Sequence, residues 1–151
     1  YGRDMSDDGT WVSFRQNLPL IVDDHHSALA DAPHTWWGTD YDKEIYVLRS
    51  ALCQLDNGNL IFAAAGDVDV KMLVEVMLYA GCARAMQLDI NGTWPHFATY
   101  SDPGQSIRHG QVMDKRMKNR DRYLTGSKKD FIALFVHLYM YIYRRIVIFV
   151  E

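Results

Sequence analysis

Two apolar runs, Glu44 to Leu55 and Leu60 to Ala65, flank the polar quartet Asp56-Asn57-Gly58-Asn59. The pattern predicts a β-hairpin, with Asn-Gly supplying the positive φ angles of a tight turn. Beyond Gly66 the period changes. Asp69 is placed to cap a helix in which Val70, Leu73, Val74, Met77 and Ala80 recur at i, i+3, i+4 and i+7, with Gly81 at its C-terminal stop. That helix has one apolar face and therefore needs a sheet to cover it. Cys82 to Ile90 reads as the next strand, in which Ala83, Ala85, Met86 and Leu88 lead to Asp89. An acid at the end of a buried strand is well placed for a cleft.

The flanks are less regular. Leu18 to Val22 is a short strand candidate, and Trp36 to Tyr41 reads as a loop. Asn91-Gly92-Thr93-Trp94-Pro95 breaks the strand that carries Asp89, and Phe97 to Tyr100 resumes an extended pattern. Asp102 to Lys129 is long, polar and irregular, with its Lys and Arg crowded into positions 115 to 129, and Phe131 to Val136 supplies a last strand. The order of hairpin, helix, strand, strand, long loop and strand predicts an α/β or α+β domain with a mixed β-sheet and at least one packed helix. No internal period suggests repeats, and residues 1–151 are expected to form a single domain.

The apolar stretch from Phe131 is interrupted by Arg144-Arg145 before Ile146 to Val150. A membrane span needs about 20 mostly apolar residues, and paired arginines near its middle are costly. The expectation is no stable membrane span. Residues 137–151 instead form a sticky tail through which the chain would self-associate or dock to a partner.

Composition narrows the function classes. A hydrophobic content of 48% with 23% charged residues describes an ordinary globular chain, and a net charge of -3 gives no electrostatic case for nucleic acid. Four Trp and nine Tyr suit a large core and equally suit stacking surfaces for sugars. Cys53 and Cys82 form the one possible intrachain disulfide, and the sequence leaves their redox state open. No basic, apolar leader with a small-residue cleavage site is visible in this chain. Nucleophile elbows, P-loops, His-Glu-x-x-His and paired Cys-x-x-Cys spacings do not occur. The adjacent pair His25-His26 would point apart on a strand or helix, so neither a metal nor an organic cofactor is expected.

The remaining features are Arg49-Ser-Ala51, the hairpin, the helix ending Tyr79-Ala-Gly-Cys82, and Ala85-Met-Gln-Leu-Asp-Ile-Asn91. In order and spacing they resemble the phosphodiester glycosidase domain, in which an Arg-x-Ala strand, a hairpin and a helix precede a strand delivering Leu-Asp-Gly-Gly-Gly-Ser. A bacterial branch is more similar still, through Arg15-Gln-Asn-Leu18, Ala85 to Asn91, and Arg122-Tyr-Leu124 followed by Asp130-Phe131. The resemblance covers residues 11–136. Two departures are visible. The glycine run after Asp89 is replaced by Ile90-Asn91-Gly92-Thr93, a poorer backbone cradle for phosphate, with Asn91 a substitute donor. The family's Asn-Gly-Gly-Phe-like N-terminal motif is missing, so the chain is expected to correspond to the C-terminal portion of that domain.

The resemblance implies an extracellular or cell-envelope hydrolase that cleaves the glycosidic bond of a sugar 1-phosphodiester in a glycan or wall polymer. The leaving group is a phosphate monoester, so strong acid assistance is less necessary. Arg49, and secondly Arg122, would grip phosphate oxygens through a bidentate fork. Asp89 would act as nucleophile or as stabiliser of the oxocarbenium-like centre, Asn91 would orient the sugar or the acid, and Trp94 would stack on a ring. A second carboxylate would be needed for acid/base work on water, with Asp23, Asp40 and Asp67 as candidates at loop edges. The rival expectation is a noncatalytic carbohydrate-binding or structural remnant, favoured by the two departures.

Overall fold

The computed structural model describes residues 18–29, 34–38, 43–91, 94–100 and 110–124. The Arg15-Gln16-Asn17 group, Asp40, Gly92-Thr93, the Phe131 to Val136 strand and the 137–151 tail lie outside the described residues.

Five strands form one sheet: β1 (Leu20–Asp23), β2 (His26–Ser27), β3 (Val47–Gln54), β4 (Leu60–Val68) and β5 (Arg84–Ile90), in the order β2-β1-β5-β3-β4. Every pairing within it is antiparallel. Among the described residues a single α-helix, α1 (Val70–Tyr79), crosses over β3 to connect β4 with β5. Two short strands, β6 (Ala98–Thr99) and β7 (Gln111–Val112), pair separately. The architecture is α+β, with the hairpin and packed helix that the hydrophobic pattern predicts.

Alternation along the strands divides the sheet into two faces. Ala51, Cys53 and Ala85 meet Val70, Leu73, Val74 and Met77 of α1, and Ile21 and Val22 complete this core. Alanines at the contact let the helix approach closely. On the other face Leu52, Leu60, Phe62 and Met86 gather around Leu88, and Phe97 stacks on Phe62 at 5.2 Å.

Both ends of α1 follow from its sequence. The Asp69 carboxylate accepts from the Met72 N–H at 2.8 Å, a cap worth about 1 kcal/mol. At the far end Gly81, at φ +81°, donates to Leu78 O while Cys82 donates to Met77 O, closing the helix with a left-handed residue that glycine adopts readily. Cys82 then forms a disulfide with Cys53 of β3, with Cα atoms 5.7 Å apart and both residues buried.

The hairpin turn differs in detail from expectation. Gly58 has positive φ but Asn57 does not, and Gly58 N–H donates to Leu55 O. Five residues, Leu55 to Asn59, join β3 to β4, so only one bend needs a left-handed residue, and Asn57 caps it by accepting from the Asn59 N–H at 3.0 Å.

Candidate functional site

β3 is flanked by a β-bulge on each neighbour, and both bulges lie at the end of the sheet where Arg49 sits. Val47 pairs with Val68 and Arg49 with Ala65, which leaves Gly66 and Asp67 opposite Leu48 alone. Ala51 pairs with Gln87 and Arg49 with Ile90, which leaves Leu88 and Asp89 opposite Ser50 alone. Bulges kink a strand and re-aim its side chains, and they are common beside active sites. The Ser50 hydroxyl donates to the Asp89 carbonyl at 2.8 Å, and the Asn91 N–H donates to Leu48 O at 2.9 Å. The bulge therefore has its own side-chain and backbone anchors on β3.

Arg49 is only 1% exposed, and every one of its five N–H groups is engaged. Nε donates to Val68 O, Nη1 to Trp37 O and to Gln87 Oε1, and Nη2 to Gly38 O and Ile45 O. Gln87 turns its own amide N–H to Trp37 O at 3.1 Å. Burial lowers the Arg49 pKa, opposed by the nearby Asp69, and the guanidinium remains a cation. This arrangement differs from the phosphate-gripping role expected of Arg49, because no N–H remains to offer a phosphate. Arg49 instead ties the 34–38 segment, the β4 bulge and β5 together. Gly38 fits this junction because a Cβ there would stand 2.9 Å from Ile90 Cδ1, and its φ is +74°.

Cross-strand partners share a face, so Ile90 lies with Arg49 on the helix side. Asp89, opposite Ser50, belongs with the face of Leu52 and Leu88. Arg49 and Asp89 are near in register but are divided between the two faces, and Arg49 donates nothing to Asp89.

Asn91, at φ +84°, begins the loop after β5, and its carbonyl accepts from the half-buried Trp94 at 3.5 Å. Its Oδ1 is buried without a hydrogen-bond partner among the described residues, as are both ring nitrogens of His96 and the indole N–H of Trp37. Buried polar atoms are normally paired, so unpaired ones concentrated near the end of β5 mark this region as specialised. Arg122 opens a 3-10 turn, Arg122–Leu124, and is half-buried beside His96, while Tyr123 meets the His96 ring edge-on at 5.2 Å. The structure thus groups Asn91 with Trp94 in the loop after β5, and Arg122 with His96 where the 122–124 turn meets the end of that loop.

His96 and Gln87 escaped the sequence reading. Gln87 had a signal, since alternation with Ala85 puts a polar side chain on the core face, where it needs a partner. His96 had none, because its burial depends on the distant 117–123 segment.

His96 gives the fold a pH dependence. Burial lowers its pKa from 6.5, Arg122 adds to the effect, and backbone groups of Lys118 and Asn119 oppose it without making well-formed hydrogen bonds to the ring. The unfolded chain therefore binds the proton first. The contribution of neutral His96 is fully present above about pH 6.5 and is lost as pH falls through the lowered folded value. Thermal midpoints are expected to fall between pH 7 and pH 5, and His96→Phe is expected to flatten that part of the profile. An unchanged slope in the variant would remove His96 as the cause.

Among the described residues, no group of three or more His, Cys, Asp or Glu is arranged to hold a metal ion, and no helix is long and apolar enough to cross a membrane. A depression lined by Asp23, Asp24, Gln54, Leu55, Asp56, Ala83 and Arg84 lies at the other end of the β3–β5 ladder, remote from Asp89. Asp23 meets Arg84 there at 3.6 Å, which places this candidate carboxylate away from the bulges. No family model matches the chain, and no curated protein or solved structure matches it.

Proposed function

We propose that the chain is a hydrolase domain acting on the glycosidic bond of a sugar 1-phosphodiester in a glycan or wall polymer. The observation that carries the reading is the bulged end of β5, which presents Asp89 on an irregular strand end two residues before Asn91, whose buried amide oxygen has no partner among the described residues. The motif resemblance across Ala85 to Asn91 supplies the reaction class. Asp89 is the carboxylate facing the anomeric carbon, Asn91 orients the sugar, and Trp94 and Arg122 line the approach. Arg49 acts indirectly, by fixing the strand on which Asp89 stands. The disulfide suits an oxidising compartment and thus an extracellular or envelope location.

A second reading, a noncatalytic carbohydrate-binding or structural remnant, is favoured by one observation: the arginine expected to grip the phosphate is fully engaged inside the protein. Hydrolysis of an α-linked glucose 1-(methyl phosphate), followed by release of methyl phosphate, separates the two. Turnover by the wild type with a loss of at least about 100-fold in Asp89→Asn is expected for the enzyme. Glycan binding without turnover would establish the remnant.

A further inference from the structure

We propose that β4 is a docking edge for a second copy of this chain, which adds its own β4 antiparallel and joins the two sheets into one. The inference is independent of the hydrolase reading.

β4 closes one side of the sheet, and the direction of its backbone groups follows from the hairpin. Leu55 N–H donates to Asn59 O, which extends the β3–β4 register by one step and makes that pair a hydrogen-bonded one. Alternation then makes Cys53–Ile61, Ala51–Ala63 and Arg49–Ala65 the bonded pairs, so Ile61, Ala63 and Ala65 turn their N–H and C=O groups toward β3. Leu60, Phe62 and Ala64 turn theirs outward, and among the described residues no strand or loop bonds to them.

Such edges are normally blunted by shortness, charge, proline or a bulge. The opposite edge, β2, follows that rule with 2 residues. β4 has 9, and its run Leu60-Ile-Phe-Ala-Ala-Ala65 contains no charged residue and no proline. A bulge comes only at the end of the strand, at Gly66-Asp67, where the Arg116 guanidinium occupies the space a Gly66 side chain would need. The regular run is left open along its whole length.

A row of alternating donors and acceptors at strand spacing selects an extended backbone as its occupant. Register selects a second β4. With a two-fold axis at Phe62, that residue faces Phe62 of the partner subunit, Leu60 faces the partner's Ala64, and Ala64 faces the partner's Leu60. All three pairings join outward-turned groups at two bonds each, so every open N–H and C=O of the run is satisfied. Side chains agree with this register. Facing residues share a side of the sheet, so the two Phe62 rings meet on the face where Phe97 already stacks on Phe62 at 5.2 Å. On the helix side Ile61 meets the partner's Ala63. No charge lies within the paired run, so no like charges come directly opposite. A two-fold axis normal to the sheet also keeps the faces matched, with both α1 helices on one side and both Leu88 clusters on the other.

The test follows the full chain by sedimentation velocity along a dilution series, with amide hydrogen exchange read residue by residue. At about 100 μM a particle of two chains is expected. In it the Leu60, Phe62 and Ala64 amides should exchange at least about tenfold more slowly than solvated amides. Dilution that separates the chains should release these three and leave Ile61, Ala63 and Ala65 protected. Ala64→Pro removes an outward N–H without touching a bond to β3, and is expected to weaken the dimer at least about tenfold with an unchanged far-UV spectrum. Should that variant fail to fold, exchange in the wild type still decides. A single-chain particle at about 100 μM would overturn the proposal. A dimer in which the three amides exchange freely would also overturn it, placing the contact elsewhere, the 137–151 tail included. Protection that persists after the chains separate would assign the edge to a strand of the same chain and overturn it too.

Discussion

Arg49→Ala is expected to destabilise the fold by at least about 4 kcal/mol, since it strips partners from four backbone carbonyls and the Gln87 amide at once. Hydrogen bonds to a charged donor contribute about 1.5–3 kcal/mol each, and neither the cavity nor the orphaned acceptors can be fully hydrated in so enclosed a place. A loss of this size is comparable with the whole stability of many domains, so the variant should be largely unfolded at room temperature. Arg49→Lys is expected to rescue little. An ammonium offers three donors from one point, whereas the acceptors here lie around a planar fork and belong to separate segments of chain. Urea denaturation of both variants is the measurement. If Arg49→Lys kept wild-type stability while losing turnover alone, Arg49 would be a substrate-facing group and the keystone role would be wrong.

The same residue shows how far the sequence could be read. Periodicity sufficed for α1, its Asp69 cap and its Gly81 stop, because those features are local and each has a residue type dictated by backbone geometry. Hairpin and strand assignments also followed from short-range patterns, with boundaries shifted by two or three residues. The two bulges were invisible, since they exist only as a mismatch of register between strands that are remote in sequence. Arg49 therefore read as a cation available to grip phosphate, when its partners, Trp37, Gly38, Ile45, Val68 and Gln87, come from four parts of the chain. Asp67 and Asp23, both candidates for a carboxylate beside Asp89, could not be told apart for the same reason, and only the register against β3 sets Asp23 at the far end of the sheet.

Removing the Cys53–Cys82 disulfide is expected to cost about 3.5 kcal/mol, the loop-closure entropy restored to the unfolded chain by opening a link across 29 residues. The link joins the middle of β3 to the residue that follows α1, so the loop it closes contains the hairpin, β4 and the whole helix. Both sulfurs are buried in the core that α1 shares with the sheet, with Cys82 Sγ 4.0 Å from Met77 Sδ. Reductant should therefore act slowly on the folded chain, at a rate set by opening of the helix–sheet layer, and quickly on the chain in urea. The Cys53→Ala, Cys82→Ala double variant should show the equilibrium loss directly, increased where the missing sulfurs leave a cavity. A double variant within 1 kcal/mol of wild type would mean that α1 and β3 hold together without the link. A loss near the expected value would leave the chain marginal wherever thiols stay reduced, which is the physical reason an oxidising compartment suits it.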